Sequence, residues 1–328
     1  MTLGIQKRGV GVTGGAATSV SSISPTSGYS IGGDDFVVAG VGFDPRDWDD
    51  LFTGVILDVA LWTDTSAGGG SVATGVSHLT LDTGAVAGGL ASITSVKTWA
   101  NTQGEARVII PPITYTPTTQ VNHFMFTLYI DASNWVSINL VVDPAIRSGL
   151  TLECDVRIGG STTTVYSAAW TTGLSVFKIL RYGSIVYFVV NGAIVATAVF
   201  VAPVASFVIS ANNNAENLEL ISTVSWFYFR PYAVFAEELI HDTTIVSDIR
   251  LRGATPPSKD SKGQSATFAG DVDVVVVGNG DDTSVDAFEY TFKDHLKIIN
   301  SVNQDVDLQM VDDDQMITPE NVKRGLGV

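Results

Sequence analysis

Two carboxylates stand on alternate residues, Glu153 and Asp155, inside an apolar segment that is typical of a β-strand. Side chains at alternate positions of a strand lie on the same face of its sheet. Retaining hydrolysis of a glycosidic bond needs two carboxyl groups about 5–5.5 Å apart, so this pair is a candidate for that chemistry. Arg157, Ile158 and Gly159 follow where a further carboxylate would be expected. We therefore predict a polar pair at a strand edge, no catalytic residue, and a protein that is not an enzyme.

Exposed aromatic side chains are a second route to a ligand, because a sugar ring can stack on the flat face of Trp or Tyr. Aromatic residues also dominate the cores of β-sandwiches, and each candidate therefore has core or edge packing as its alternative. The candidate glycan-binding residues are Trp99, Trp135, Trp170, Tyr182 and Tyr187.

The residues that bind metals or activate nucleophiles are scattered. Cys154 is the single cysteine, which excludes an internal disulfide and any site with several thiolates. The aspartate runs lack the spacing of a calcium-binding loop, and phosphate-binding loops and nucleophile elbows are absent from the sequence. The four histidines also stand singly, at His78, His123, His241 and His295. We expect no metal and no cofactor.

Charge and composition restrict the class of protein. The chain has 328 residues, with 34 acidic and 18 basic side chains and a formal net charge of −16. Such a charge repels phosphate backbones and anionic membrane surfaces, so nucleic acid is excluded as a partner. Apolar residues make up 45% of the chain, charged residues only 16%, and 32 glycines are present. This composition favours an all-β protein whose strands are joined by tight turns.

Localisation signals are weak. Lys7 and Arg8 are not followed by the apolar run of a secretory signal, which predicts synthesis in a cytoplasm. Residues 184–209 carry no charge, and their number is sufficient for a helix that spans a bilayer. Asn191-Gly192 between β-branched runs is instead a strong hairpin signal, so we predict a buried hairpin and no membrane insertion.

The clearest local structure lies in residues 177–200. Two-residue turns at Tyr182-Gly183 and Asn191-Gly192 predict three antiparallel strands. Counting outward from the first turn places Ile179 opposite Val186 and Phe177 opposite Phe188.

Residues 44–241 resemble a concanavalin A-like, laminin-G-like jelly roll. The resemblance rests on a first core strand within residues 53–63, the short strand Leu79–Leu81, and two hairpins, in residues 126–142 and 178–192. It implies two large antiparallel sheets. Glucanases of this fold carry the motif Glu-x-Asp-x-x-Glu on one strand, and this chain departs from that motif because the last Glu is missing after Asp155.

The flanking segments resemble the immunoglobulin-like TIG (IPT) domain. Ser24-Pro25, Gly28, Gly32-Gly33 and residues 40–43 match its opening. Its second half is matched by Pro256-Pro257, Asp271–Val277 and Phe288–Phe292. The predicted fold class is therefore all-β, with a large antiparallel jelly-roll sandwich inserted into a smaller immunoglobulin-like β-sandwich made of residues 20–43 plus 242–292. Two or three consecutive β-domains are the alternative.

Both ends of the chain differ from the predicted domains. Residues 1–19 are rich in Gly, Ser and Thr and predict a flexible arm, which either docks on a neighbouring subunit or has no function. Residues 293–328 form a polar tail that either packs on a partner or moves freely. The candidate assembly contacts are the basic residues Lys7, Arg8, Lys323 and Arg324.

The nested arrangement of two sandwiches is similar to that of bacteriophage virion proteins. The resemblance implies a non-enzymatic virion structural protein, a decoration, fibre or tail component that forms homo-oligomers, contacts other virion subunits and is located in the virion. The alternative is a carbohydrate-binding or adhesion module that recognises a cell-surface polysaccharide. A glycoside hydrolase of the jelly-roll type is a third interpretation.

Overall fold

The structure, a computed structural model, describes residues 17–308 except 30–32, 44–49, 76, 111–116, 143, 145–148, 202, 230–231, 236–237, 240–243, 248–249, 256–269, 279, 292–295 and 300–304. The predictions for Lys7, Arg8, Lys323, Arg324, His241 and His295 lie outside these residues. Within the described residues the regular elements are β-strands, with no α-helix.

The strands are β1 (Ser19–Ser24), β2 (Ser27–Tyr29), β3 (Asp35–Val41), β4 (Trp62–Asp64), β5 (Ser71–Thr74), β6 (Leu79–Asp82), β7 (Leu90–Ser95), β8 (Thr102–Ile110), β9 (Val121–Asp131), β10 (Asn134–Val142), β11 (Leu150–Ile158), β12 (Ser161–Trp170), β13 (Gly173–Tyr182), β14 (Ile185–Val190), β15 (Ala193–Val199), β16 (Ser206–Asn212), β17 (Ile221–Phe229), β18 (Tyr232–Phe235), β19 (Glu238–Leu239), β20 (Thr244–Ser247), β21 (Arg250–Ala254), β22 (Gly270–Gly278), β23 (Gly280–Thr291), β24 (Leu296–Ile299) and β25 (Asp305–Leu308).

Two seven-stranded antiparallel sheets form a large jelly-roll sandwich. Sheet I has the order β12-β11-β10-β9-β16-β7-β4, and sheet II has the order β15-β14-β13-β8-β17-β6-β5. Their inner faces share one core, in which the rings of Phe126 and Phe207 from sheet I stack with centroids 5.4 Å apart and Phe227 comes from sheet II. The predicted all-β fold with a large jelly roll is confirmed.

Local turn chemistry sets the hairpin of β9 and β10. The Asp131 carboxylate accepts a hydrogen bond from the backbone N–H of Ser133 at 2.7 Å and another from the Asn134 side-chain amide at 3.0 Å. Short polar side chains that bind the backbone two residues ahead favour a turn over a continuing strand. This hairpin lies where the sequence predicted it.

The uncharged segment 184–209 contains β14, β15 and the start of β16. Asn191 and Gly192 have φ values of 50° and 84° and connect the paired residues Val190 and Ala193. Positive φ at both central residues is what a two-residue hairpin turn requires. The hairpin is confirmed, but burial holds for most of β14 and not for β15, whose side chains are half-buried or exposed. No helix in the described part of the chain is long and apolar enough to cross a membrane.

The predicted register of β13 and β14 is wrong. Ile179 pairs with Phe188 and Phe177 with Val190, because the turn is Gly183-Ser184 and Tyr182 remains in the strand, paired with Ile185. Gly183 has a φ of 57°, which suits the first central position of such a turn. The error is two residues in the partner strand, so each side chain keeps its predicted face.

The strand expected within residues 53–63 is also wrong. Only Trp62–Asp64 is a strand, and Val55 and Val59 upstream are 90% and 81% exposed. The Asp58 carboxylate accepts a hydrogen bond from the Ala60 N–H at 2.9 Å, and the Trp62 N–H donates to the Asp58 carbonyl at 2.8 Å. Asp58 therefore starts a turn that competes with the extended strand.

A smaller sandwich consists of a sheet in the order β1-β3-β21-β20 and a sheet in the order β19-β18-β22-β23-β2. β3 pairs with β21, so segments on either side of the jelly-roll strands share one sheet. Its core includes Phe36 and Val38 from the first sheet, with Phe235 and Phe288 from the second. The assignment to an immunoglobulin-like domain and the exact boundaries stay predictions.

The smaller sandwich packs on the outer face of sheet II. Leu180 and Val189 of that face form a buried cluster with Tyr232, Val234 and Val277. The Tyr232 hydroxyl donates a hydrogen bond of 2.5 Å to the backbone carbonyl of Arg181. The outer face of sheet I lies on the opposite side of the jelly roll.

The predicted C-terminal tail, residues 293–328, contains a two-stranded sheet. β24 and β25 pair from Leu296 with Leu308 to Ile299 with Asp305. Described residues end at Leu308, and the rest of the predicted tail lies outside them.

Candidate functional site

The outer face of sheet I, which we call the polar face, carries polar side chains in rows across the strands. Because side chains alternate, residues paired across neighbouring strands share this face when their neighbours in sequence are in the core. One row contains Thr164, Asp155, Ser137 and Thr127, on β12, β11, β10 and β9. The next row contains Glu153, Asn139, Met125, Ser210 and Ser92, and a third contains Arg157, Trp135 and Tyr129.

Asp155 is the centre of a hydrogen-bonded group on this face. Its Oδ1 accepts a bond from the Thr164 hydroxyl, and its Oδ2 accepts one from the Asn139 side-chain amide, both at 2.6 Å. Only 7% of Asp155 is exposed. Burial raises the pKa of its carboxyl, although the two hydrogen bonds oppose that rise.

Ser137 and Asn139 carry polar atoms that the described part of the structure leaves without a hydrogen-bond partner. These atoms are the Ser137 hydroxyl oxygen and the Asn139 Oδ1, and the Arg157 Nε has none among those residues either. Ser137 is fully buried and Asn139 is 3% exposed. Buried polar atoms of this kind need an explanation, and a hydroxyl-bearing ligand or water reaching this part of the sheet is one.

The third row contributes an aromatic surface. Trp135 on β10 pairs with Tyr129 on β9 and with Arg157 on β11, and all three side chains are partly exposed. Trp135 is thus beside a tyrosine and a guanidinium, and one row from the carboxylate of Asp155. A flat ring bordered by hydrogen-bonding groups is the arrangement that can hold a sugar ring.

The other four candidate aromatic residues lie elsewhere. Trp99 is only 5% exposed and stacks on Phe229 at 5.4 Å in the core, which corrects the expectation of an exposed platform. Trp170 packs against the same core and donates a hydrogen bond to Ser175 at 3.2 Å. Tyr182 and Tyr187 pack against the cluster beneath the smaller sandwich. The structure therefore does not bring the five together.

Two groups that are reactive in other settings are inactivated by burial here. Burial and the neighbouring Asp155 raise the pKa of the Cys154 thiol to about 12. Burial lowers the pKa of His123 to about 4. Both are therefore neutral near pH 7, and among the described residues no three His, Cys, Asp or Glu side chains converge on a metal-sized space.

Several residues of the polar face were missed in the sequence. Alternation along β11 placed Glu153 and Asp155 on one face, and alternation along β10 could have placed Trp135, Ser137 and Asn139 on one face too. The pairing that brings these two sets together is not encoded in either strand alone.

Comparisons with known proteins concern the fold. No protein-family model matches the chain. No curated protein sequence matches it either. A GH43 protein, BlXynB from Bacillus licheniformis, is similar at 14% identity and a TM-score of 0.44, over 59% of this chain and 40% of that protein. A laminarinase from Flavobacterium sp. UMI-01 is similar at 12% identity and 0.43, over 56% and 98%. A Bacillus licheniformis β-glucanase is similar at 12% identity and 0.42, over 56% and 96%.

These similarities contradict two predictions. The similar structures include a laminarinase and a β-glucanase, and this finding contradicts the predictions of a non-enzymatic virion structural protein and of a chain that is not an enzyme. The chain spans about 40% of the GH43 protein's length. Identities of 12–14% describe a shared fold, and the chemistry has to come from this chain's own residues.

Proposed function

We propose that the protein binds a polysaccharide across the polar face of sheet I, with Trp135 as the ring on which a sugar stacks. The observation that carries this proposal is the placement of Trp135 in register with Tyr129 and Arg157, one row from the buried Asp155. The rows run across the strands, so a chain of sugar units crossing the sheet meets one side chain of a row at each strand.

The polar groups of the face suit hydroxyl-rich ligands. The Asn139 Oδ1 and the Ser137 hydroxyl oxygen, which have no partner among the described residues, are hydrogen-bonding groups of the kind that sugar hydroxyls satisfy. The three rows of described residues contain Glu153, Asp155 and the cation Arg157, and the whole chain has a charge of −16. We therefore expect an uncharged polysaccharide to bind better than a sulfated or uronate-rich one.

The test is affinity electrophoresis or calorimetry of the full chain against a panel of neutral and acidic polysaccharides. Trp135→Ala is expected to weaken binding at least about tenfold, which corresponds to about 1.4 kcal/mol. Trp226→Ala is the matched control, because Trp226 is also partly exposed, pairs with Arg107 on sheet II, and stacks on Tyr228 at 4.2 Å. Equal losses in the two variants, or none in Trp135→Ala, would reject the proposal.

Hydrolysis of the bound polysaccharide is a second candidate function. Glu153 and Asp155 point to the same face, and burial raises the pKa of Asp155 in the direction that a general acid requires. In this scheme the protonated Asp155 donates its proton to the glycosidic oxygen, and Glu153 acts as the nucleophile or as the base that activates water.

Release of reducing ends from the bound polysaccharide tests this second function. Glu153→Gln and Asp155→Asn are each expected to abolish release while binding is retained. Glu105→Gln, on the outer face of sheet II and paired with Lys178 at 2.9 Å, is the control. Binding without any release in the wild-type protein would leave recognition as the function and exclude hydrolysis of that substrate.

A further inference from the structure

One flank of the jelly roll is formed by two long edge strands. β12 ends sheet I, β15 ends sheet II, and the two strands lie side by side. They contain 10 and 7 residues, whereas the edges of the opposite flank, β4 and β5, contain only 3 and 4. An edge strand presents unpaired backbone N–H and C=O groups, and short length is one way proteins prevent it from pairing with another chain.

The long flank also lacks the charges that usually protect an edge. No charged residue occurs between Arg157 and Lys178, or between Arg181 and Glu216. β15 lies in the second of these segments, and among the described strands it pairs only with β14. Lysine, inward-pointing charge, proline and a β-bulge are common protective devices. β15 has none of the first three, and its register against β14 shifts between Ile194 and Ala196.

Exposed apolar side chains accompany this edge. On β15, Ile194 is 41% exposed and Val199 is 63% exposed. Ile185, which pairs with Val199, is 41% exposed, and Val201 just beyond the strand is 79% exposed. Backbone groups and apolar side chains are therefore presented together at the end of sheet II.

We propose that β15 is the contact by which two copies of this chain associate, each adding its β15 antiparallel to that of the other. Two chains of charge −16 repel each other, so their close approach favours an uncharged surface such as this flank. An antiparallel pair of identical strands is self-complementary and closes with two-fold symmetry, so no further copies add at the same edge. This contact differs from the predicted contacts in the terminal segments.

Sedimentation equilibrium of the full chain over a wide concentration range tests the proposal. The wild type is expected to form a dimer that dissociates on dilution. Val199→Lys and Thr197→Lys each add to β15 a lysine of the kind that protects an edge strand, and both variants are expected to be monomeric where the wild type is dimeric. Thr197 is already exposed and polar, so this variant keeps the fold if Val199→Lys does not.

Val285→Lys is the matched control, because Val285 is 69% exposed on β23 and the substitution changes the net charge equally. It is expected to leave the dimer intact. In the dimer, the amide hydrogens of residues 193–199 are expected to exchange more slowly than in the monomer. A wild type that is monomeric at every concentration, or a dimer that survives both β15 substitutions, would overturn the proposal.

Discussion

At Asp155, burial and hydrogen bonding act on the same carboxyl in opposite directions. The carboxylate accepts two short hydrogen bonds from Asn139 and Thr164, yet its position in the sheet removes nearly all contact with water. The outcome is a raised pKa, so the folded protein favours the protonated acid more than the unfolded chain does.

The raised pKa predicts a pH-dependent stability difference between the wild type and Asp155→Asn. Between the usual pKa of an aspartic acid and the raised pKa of the folded state, Asp155 holds a proton more often in the folded protein than in the unfolded chain. The contribution is therefore complete below the usual pKa and is lost as the pH rises through the raised pKa of the folded state. Urea unfolding from pH 3 to 7 should show the free energy of unfolding of the wild type falling relative to that of Asp155→Asn. A constant difference over this range would contradict the raised pKa.

At the scale of elements, Gly183 determines how β13 and β14 meet. Its φ is 57°, and an added Cβ would contact nothing within 4 Å, so substitution there tests backbone conformation alone. Gly183→Val is expected to lower the free energy of unfolding by about 1–2 kcal/mol, because β-branched residues tolerate positive φ poorly. Gly183→Asn is the control and should be close to neutral, since Asn adopts this conformation readily. Equal losses in chemical denaturation would contradict the turn at Gly183-Ser184.

Hairpins that depend on neighbouring residues were predictable from the sequence. Asp131 and Asn191-Gly192 carry the turn chemistry within a few residues, and both turns are where the sequence indicated. The register of β13 and β14 was not predictable from the sequence. The local sequence favours a turn at Tyr182-Gly183 as much as one at Gly183-Ser184, and packing decides between them. The strand expected within residues 53–63 failed because the Asp58 side chain binds its own backbone.

Only part of the candidate site was predictable from the sequence, again because packing decides how the strands pair. Alternation put Glu153 and Asp155 on one face, which is a property of β11 alone. The neighbours of Asp155, which are Asn139, Ser137 and Thr164, follow from pairing between strands, and the β11–β12 pair also contains a register shift between Cys154 and Asp155. The pairing of these strands depends on how the two large sheets bury their faces against each other, so it cannot be predicted from the sequence of any single segment.

At the scale of the whole molecule, the two sandwiches are joined through one apolar cluster on the outer face of sheet II. Leu180 lies at its centre with Tyr232 and Val234, and all three are fully buried. The Tyr232 hydroxyl bond to the Arg181 carbonyl adds a fixed polar contact to this cluster. Because this interface buries side chains from both sandwiches, we expect them to unfold as one cooperative unit.

Leu180→Ala tests this coupling. The loss of a fully buried leucine should cost about 2–5 kcal/mol, and because the lost contacts bridge the two sandwiches, it should split one calorimetric transition into two. Leu152→Ala is the matched control, since Leu152 is equally buried but belongs to the jelly-roll core alone. It should lower the transition temperature and preserve a single transition. If scanning calorimetry shows one transition in Leu180→Ala as well, the cluster is not what makes the two sandwiches unfold together.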